Sequence, residues 1–396
     1  MTAAATVDFM RVLLLAPQPF YQERGTPIAV RMLAQTLCQA GHRVDLLTYH
    51  LGDDVLVPGL QIFRIPGPRF IRRIPIGFSA AKLLCDCFLF ASLIRHLFKN
   101  QYDVIHAGEE SVYLALMTRF LHRARVVYDM DSSMPDQLLE KWSKLSFLAR
   151  PLYFMERVAI KKSDVVLPVC QQLADRAYKI KNKDKVVLLE DFPLSLEEKS
   201  AEPIDQIRAL LGIKGVFALY VGNLEVYQGI DLLLAGFAEI EKGVDLHLVL
   251  IGGSDIDIKF YQDRVNDLGV SDRVHLLGPR PVSQLGDYLV QADILVSPRL
   301  KGINTPMKIF SYLDSGKSII ATNISSHTQV LDSSCALLVD SKPAAMARGL
   351  SQLATDAVLR QTMGQAGQSL STSRYSFARF QTTVNDLYQP SGPLFD

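Results

Sequence analysis

Short unbroken apolar runs alternate along the chain with longer stretches in which apolar residues recur at helical spacing. Residues 10–16 (Met-Arg-Val-Leu-Leu-Leu-Ala) form such a run, as expected of a strand buried on both faces. A loop rich in Pro and Gly follows. Residues 28–40 then carry apolar positions at helical spacing, Gly41 ends that helix, and 43–49 is the next strand, which completes one β-α-β unit. Further buried-strand runs lie at 104–105, 126–128 and 165–168, with helical patterns between them. An alternating series of this kind predicts a parallel sheet with helices on both faces.

The series restarts after Asp191. Residues 193–203 are polar, charged and flanked by prolines, which suits a linker. Strands are predicted at 217–221, 246–251, 274–277, 294–297 and 318–321; the first three run into Gly222, Gly252-Gly253 and Gly278. A second doubly wound domain therefore spans about 201–373, and an aromatic-rich helix over 375–388 closes the chain. The expected fold is α/β, with two doubly wound Rossmann-like domains, residues 1–195 and 196–373, and a terminal segment 374–396. Open parallel sheets bind ligands beyond the carboxyl ends of their strands, so two of them predict a cleft lined by residues that follow strands.

The length of 396 residues, too great for one ordinary core, agrees with two domains. Apolar residues at 48% and charged residues at 21% read as soluble and globular. Lys plus Arg is 42 against 41 for Asp plus Glu, so no basic excess speaks for nucleic acid as a partner. The five cysteines form no metal-ligand pattern; Cys85-Asp86-Cys87 has one intervening residue where a zinc knuckle needs at least two. Buried thiols in a reducing cytoplasm are the expectation. Residues 1–9 lack the basic and apolar regions of a signal peptide, and no stretch reaches the roughly 18 apolar residues of a membrane span.

Candidate chemistry collects after the predicted strands. In residues 302–316, Asn304 or Thr305 can cap a helix, Pro306 fits its first position and Gly316 its exit. Lys308 then falls on the third helical position, where a cation opposes the helix dipole. Such a lysine makes sense beside a bound anion: free backbone N–H groups, the ammonium and nearby Arg299 together make a seat for a diphosphate. The alternative is a solvated surface lysine. Ser311 can meet a ribose oxygen or merely fill the helix surface. Gly25-Thr26-Pro27 repeats the glycine-cap-proline device in the first half, with Gly25 permitting close backbone approach. His106, with Glu109 and Glu110 close behind, follows strand 103–105 and can orient a ligand or act as a base; Asp129 and Asp131 are placed similarly after 126–128. No further ligand set accompanies these carboxylates, so no metal is expected. After strand 217–221, Gly222 and Gly229 bracket a turn in which Asn223 and Gln228 offer neutral donors.

These segments resemble glycosyltransferase family 4, the retaining GT-B enzymes, over nearly the whole chain. The resemblance is carried by Gly25, Ala40-Gly41-His42-Arg43-Val44, Tyr102-Asp103-Val104-Ile105-His106 and Tyr220-Val221-Gly222-Asn223-Leu224. It continues through Asp272-Arg273-Val274, Ala292-Asp293-Ile294, Pro306-Met307-Lys308, Ser311-Tyr312-Leu313 and Gly316-Lys317 to Tyr375-Ser376-Phe377. It implies a nucleotide-diphosphate sugar donor held mainly by the second domain, and a glycan or lipid-linked acceptor held by the first. It also implies no metal or other cofactor, and a C-terminal helix crossing back to the first domain. On it, His106, Arg299 and Lys308 are the expected catalytic residues. Gly25, Gly222, Asn223, Gln228, Gly253, Asn304, Thr305 and Ser311 are expected at the donor, and Glu109 and Asp131 on the acceptor side. The chain departs from the family where an arginine and a lysine usually contact the diphosphate, here Asn223 and Gln228, and where two glutamates usually hold sugar and ribose, here Ile303 and Ser311. The second histidine of the strand-end pair is Gly108, and Asp131 stands where a histidine is common. The donor site is thus rebuilt, or catalysis is lost and a sugar- or nucleotide-binding protein remains.

Residues 69–78 interleave Arg69, Arg72 and Arg73 with Phe70, Ile71, Ile74 and Ile76, which suits either a peripheral membrane contact or a solvated basic loop. The apolar stretch 80–98 after it reads as a helix packed on the sheet. The expected location is the cytoplasm, at the inner face of the membrane if that contact is made.

Overall fold

A computed structural model describes residues 9–395 apart from 24, 69, 76–78 and 195–205. Residues up to Glu190, together with those from Phe380 on, form one compact unit; Asp191–Arg379 form the other. Most of the linker expected at 193–203 lies outside the described residues.

The first unit is built on β1 (Arg11–Ala16), β2 (Arg43–Thr48), β3 (Leu60–Arg64), β4 (Val104–Gly108), β5 (Arg125–Met130) and β6 (Val165–Pro168). They form one sheet in the order β3-β2-β1-β4-β5-β6, parallel throughout. The second holds β7 (Val216–Val221), β8 (Leu246–Ile251), β9 (Val274–Gly278), β10 (Ile294–Ser297), β11 (Ser318–Thr322) and β12 (Ala336–Val339). Its order, β12-β11-β10-β7-β8-β9, is the same winding run in the opposite listing. Each sheet reverses its strand order beside its first strand, between β1 and β4 and between β7 and β10. At such a switch point the flanking loops part, and ligands of doubly wound sheets settle there.

The central strands are unbroken apolar runs because helices cover both of their faces. Val12 to Leu15 and Leu248 to Leu250 are almost wholly buried. In the second unit the apolar side chains divide into two clusters. One holds Leu233, Phe237, Leu248 and Leu350; the other holds Phe217, Leu295, Phe310 and Leu313. The sequence pattern places ten of the twelve strands and misses β3 and β12, the outer strands whose residues are mostly half-buried. The closing helix begins two residues later than expected, at Phe377–Tyr388, after a separate helix Ala357–Arg374. Its inner residues Val384, Leu387 and Tyr388 are buried, and from Phe380 on it belongs to the first unit.

Candidate functional site

In the second unit β7 and β10 end side by side, and the chain after each must leave the sheet sharply. Gly222 does so with φ 144°, and a Cβ there would lie 2.9 Å from Lys308 Nζ. Gly229 sits at φ 75°, where a Cβ would meet the Pro298 carbonyl oxygen at 2.1 Å, so the loop after β7 presses against the loop after β10. Both turns bring backbone up to one lysine. Lys308 Nζ lies 4.0 Å from the centroid of the Tyr220 ring and 3.4 Å from Gln228 Oε1, a long contact with a neutral acceptor. No carboxylate pairs with it among the described residues. Burial, and after it the positive charge of Arg299, pull the Lys308 ammonium down from 10.5 to about 7.

Arg299 is 8% exposed. It donates from Nε to the Lys301 carbonyl at 2.5 Å and from Nη2 to Asn304 Oδ1 at 3.2 Å, and its guanidinium stacks 5.4 Å from the Tyr227 ring centroid. Its own carbonyl accepts from the Thr322 hydroxyl. The fully buried His327 braces that hydroxyl, with Nε2 2.9 Å from Ser297 Oγ and Nδ1 2.8 Å from the Thr322 carbonyl. Burial drives His327 down to about 4, so at neutral pH it is an uncharged strut and adds no further charge. Thr305 is buried, and its hydroxyl has no hydrogen-bond partner within the protein. Two cations, Lys308 and Arg299, and the unsatisfied Thr305 hydroxyl thus lie next to a switch point, where an anion would find complementary groups.

Several expected site residues sit elsewhere or act otherwise. The helix expected from a cap at Asn304 or Thr305 starts later: it runs Lys308–Asp314, with the Ile309 amide bonded to the Pro306 carbonyl. Lys308 therefore opens the helix and does not lie in its first turn's third position, because residues 302–307 follow an irregular path around Arg299. Ser311 is fully buried, and its Oγ accepts from the Leu194 amide at 2.9 Å, which commits the hydroxyl to packing and corrects the ribose expectation. Asn223 is exposed, with Oδ1 turned to the Glu225 amide at 3.4 Å. Gly253 follows β8 at φ 83°, where a Cβ would strike Leu224. Gly25 is the first residue of the helix Gly25–Gln39, and a Cβ there would meet open space, so its backbone does not demand glycine.

In the first unit His106 is fully buried, and both ring nitrogens are engaged: Nδ1 lies 2.7 Å from the Tyr388 hydroxyl and Nε2 3.1 Å from Asp129 Oδ2. The ring is therefore held fast in the interior, where the expected base would have needed to reach a ligand. Glu109 follows β4 with φ 48°, its amide donating to the Asp129 carbonyl at 3.0 Å. Asp131 follows β5 and is partly exposed.

Sequence reasoning missed a charged cluster here. Lys82 and Asp86, one turn apart on the inner face of the helix Ala80–Lys99, are buried. Lys82 Nζ reaches Glu109 at 3.0 Å and Glu110 at 2.7 Å. Burial raises Glu110 to about 8 and Asp86 to about 6. The i, i+4 spacing of Lys82 and Asp86 within an apolar helix is the available signal. No group of three or more His, Cys, Asp or Glu able to hold a metal is found among the described residues.

The sequence matches two family models, "Glycosyltransferase Family 4" over residues 24–189 and "Glycosyl transferases group 1" over residues 216–356. Each falls on one of the two units. The chain belongs to glycosyltransferase family 4. It is 26% identical over 307 residues to a mannosylfructose-phosphate synthase of Agrobacterium fabrum, covering 69% of this chain and 65% of that one. To a D-inositol 3-phosphate glycosyltransferase of Corynebacterium diphtheriae it is 29% identical over 173 residues, covering 41% and 40%. The matches thus span less than two thirds of these relatives' own lengths. Among solved structures, a sucrose-phosphate synthase from Thermosynechococcus elongatus superposes with a TM-score of 0.79 at 20% identity, over 96% of this chain and 98% of that one. The Anabaena protein HepE in complex with UDP-glucose does so with 0.71 at 15%, over 95% and 98%. These likenesses establish the GT-B fold.

Proposed function

We propose that the protein transfers a hexose-type sugar, with retention and without a metal ion, from a nucleotide-diphosphate sugar to a glycan or lipid-linked acceptor. The observation that carries this reading is Lys308, a desolvated ammonium with no carboxylate partner among the described residues, next to Arg299. A half-buried, desolvated cation without a counterion is costly unless a ligand supplies the charge. A donor diphosphate supplies it, and its charge grows as the glycosidic bond breaks, so the same two cations stabilise the departing group. HepE, described with UDP-glucose, supports a nucleotide-sugar donor for this fold. In this reading Gln228, Asn304 and the Thr305 hydroxyl complete the donor side. Glu109 and Asp131 serve the acceptor, and His106 keeps Asp129 and the Glu109 loop in place.

A second reading, a nucleotide- or sugar-binding protein without turnover, rests on Ser311, whose packing role leaves nothing where the family's second glutamate usually stands. A thermal-shift screen against nucleoside diphosphates and their sugars, followed by product analysis, separates the two. Stabilisation with turnover of one nucleotide sugar supports the transferase. Lys308→Ala is expected to abolish that turnover while leaving the circular dichroism spectrum unchanged; near-normal activity in the variant removes the assignment. Tight binding with no turnover of any donor favours the second reading.

A further inference from the structure

The helix Ala149–Lys162 in the first unit turns its inner stripe, Glu156, Ala159 and Ile160, into the protein. The face opposite a buried stripe is ordinarily polar. Here its centre is Phe154 and Val158, 66% and 37% exposed, with Met155 beside them at 44%. Cations flank this ridge on both sides: Arg150, Arg157 and Lys161 on one, Lys162 on the other. None of the four forms an ion pair among the described residues. The helix's lone carboxylate, Glu156, is buried and paired with Arg176 at 2.9 Å, so no negative charge interrupts the outer face. The turn leading into the helix adds Phe147, 73% exposed.

We propose that this face binds the surface of an anionic lipid bilayer, with the Phe154 ridge entering the headgroup boundary and the flanking cations meeting lipid phosphates. Apolar side chains at the centre and unopposed cations at the margins match a medium that is oily within and negative at its surface. A protein partner would ordinarily present carboxylates to these cations, and their loss of ion pairing would then depend on one sequence; a bilayer asks only for charge density. The site is separate from residues 69–78, where Ile71 and Ile74 prove to be buried and Arg69 and 76–78 lie outside the described residues. It is also independent of the donor-site reading, since binding to lipid needs no turnover.

The test is co-sedimentation of the full chain with vesicles of phosphatidylcholine alone and with about one third phosphatidylglycerol. The protein is expected to pellet with the anionic vesicles, to stay in the supernatant when the vesicles are neutral and to be released by high salt. Phe154→Ser and the pair Arg157→Ala with Lys161→Ala should each lower the partition coefficient by roughly tenfold or more, with Ile256→Ser, on an exposed helix of the second unit, leaving it unchanged. Because all of these side chains are exposed, the variants keep the fold, which circular dichroism verifies. Equal binding to neutral vesicles, absence of binding to both, or unchanged binding in the Phe154 variant overturns the proposal. So does sedimentation-velocity evidence that Phe154 instead mediates self-association.

Discussion

Lys308 shows how burial and a like charge combine. Both act against the ammonium, and it titrates near 7 where a free lysine does so near 10.5. A lysine whose folded pKa lies below its unfolded one binds fewer protons when folded between those two values. The unliganded protein therefore gains stability from this residue as pH rises from about 7 towards 10.5, and carries the full cost below 7. Ligand binding has the opposite sign, because only the charged form attracts a diphosphate. Affinity for a nucleoside diphosphate is expected to fall about fivefold between pH 7 and pH 8, the drop in protonated fraction for a group titrating at about 7. Calorimetry across that interval reads it, and Lys308→Met should bind weakly with a flat profile. If the slope survives in that variant, another group is the anion's partner.

The elements show what the sequence pattern could and could not carry. Central strands such as β1, β8 and β10 are legible because burial on both faces leaves an uninterrupted apolar run with abrupt ends. The strands β3 and β12 escape because their residues are mostly half-buried, and Leu60–Arg64 mixes Gln61 and Arg64 with its apolar residues. Lys308 and Arg299 were legible from their position after β10. Tyr220 and Tyr227, which lie against them, and the His327 strut were not, since aromatic rings near strand ends serve equally as core. The closing helix Phe377–Tyr388 was found, but its reason was not. Tyr388 carries its hydroxyl to His106 across 282 positions of sequence, and no local pattern encodes that contact. Tyr388→Phe keeps the ring and deletes the hydrogen bond, leaving His106 Nδ1 unsatisfied in the interior. A loss of about 1–2 kcal/mol is expected in urea unfolding, concentrated in the first unit; a change within error would mean that the contact is incidental.

For the whole molecule, the two units repeat one winding but divide the chemistry unequally. The second keeps Lys308, which pairs with no carboxylate among the described residues, beside Arg299. The first sets its buried Lys82 against two glutamates and so neutralises its own charge. Anion binding should therefore register in one unit. A ligand that binds only the folded state stabilises it by RT ln(1 + [L]/Kd), about 2.7 kcal/mol at a hundredfold excess over Kd, and slows amide exchange wherever opening breaks the site. With saturating nucleoside diphosphate, protection is expected to rise at the end of β7, in the loop after β10 and in the helix Lys308–Asp314. Amides of β1, β2 and β4 should keep the exchange rates of the free protein. Hydrogen exchange read by mass spectrometry distinguishes this from the alternative in which protection rises first around Glu109 and Glu110. That outcome would move the anion to the first unit, where Lys82 would have to exchange its glutamates for the ligand.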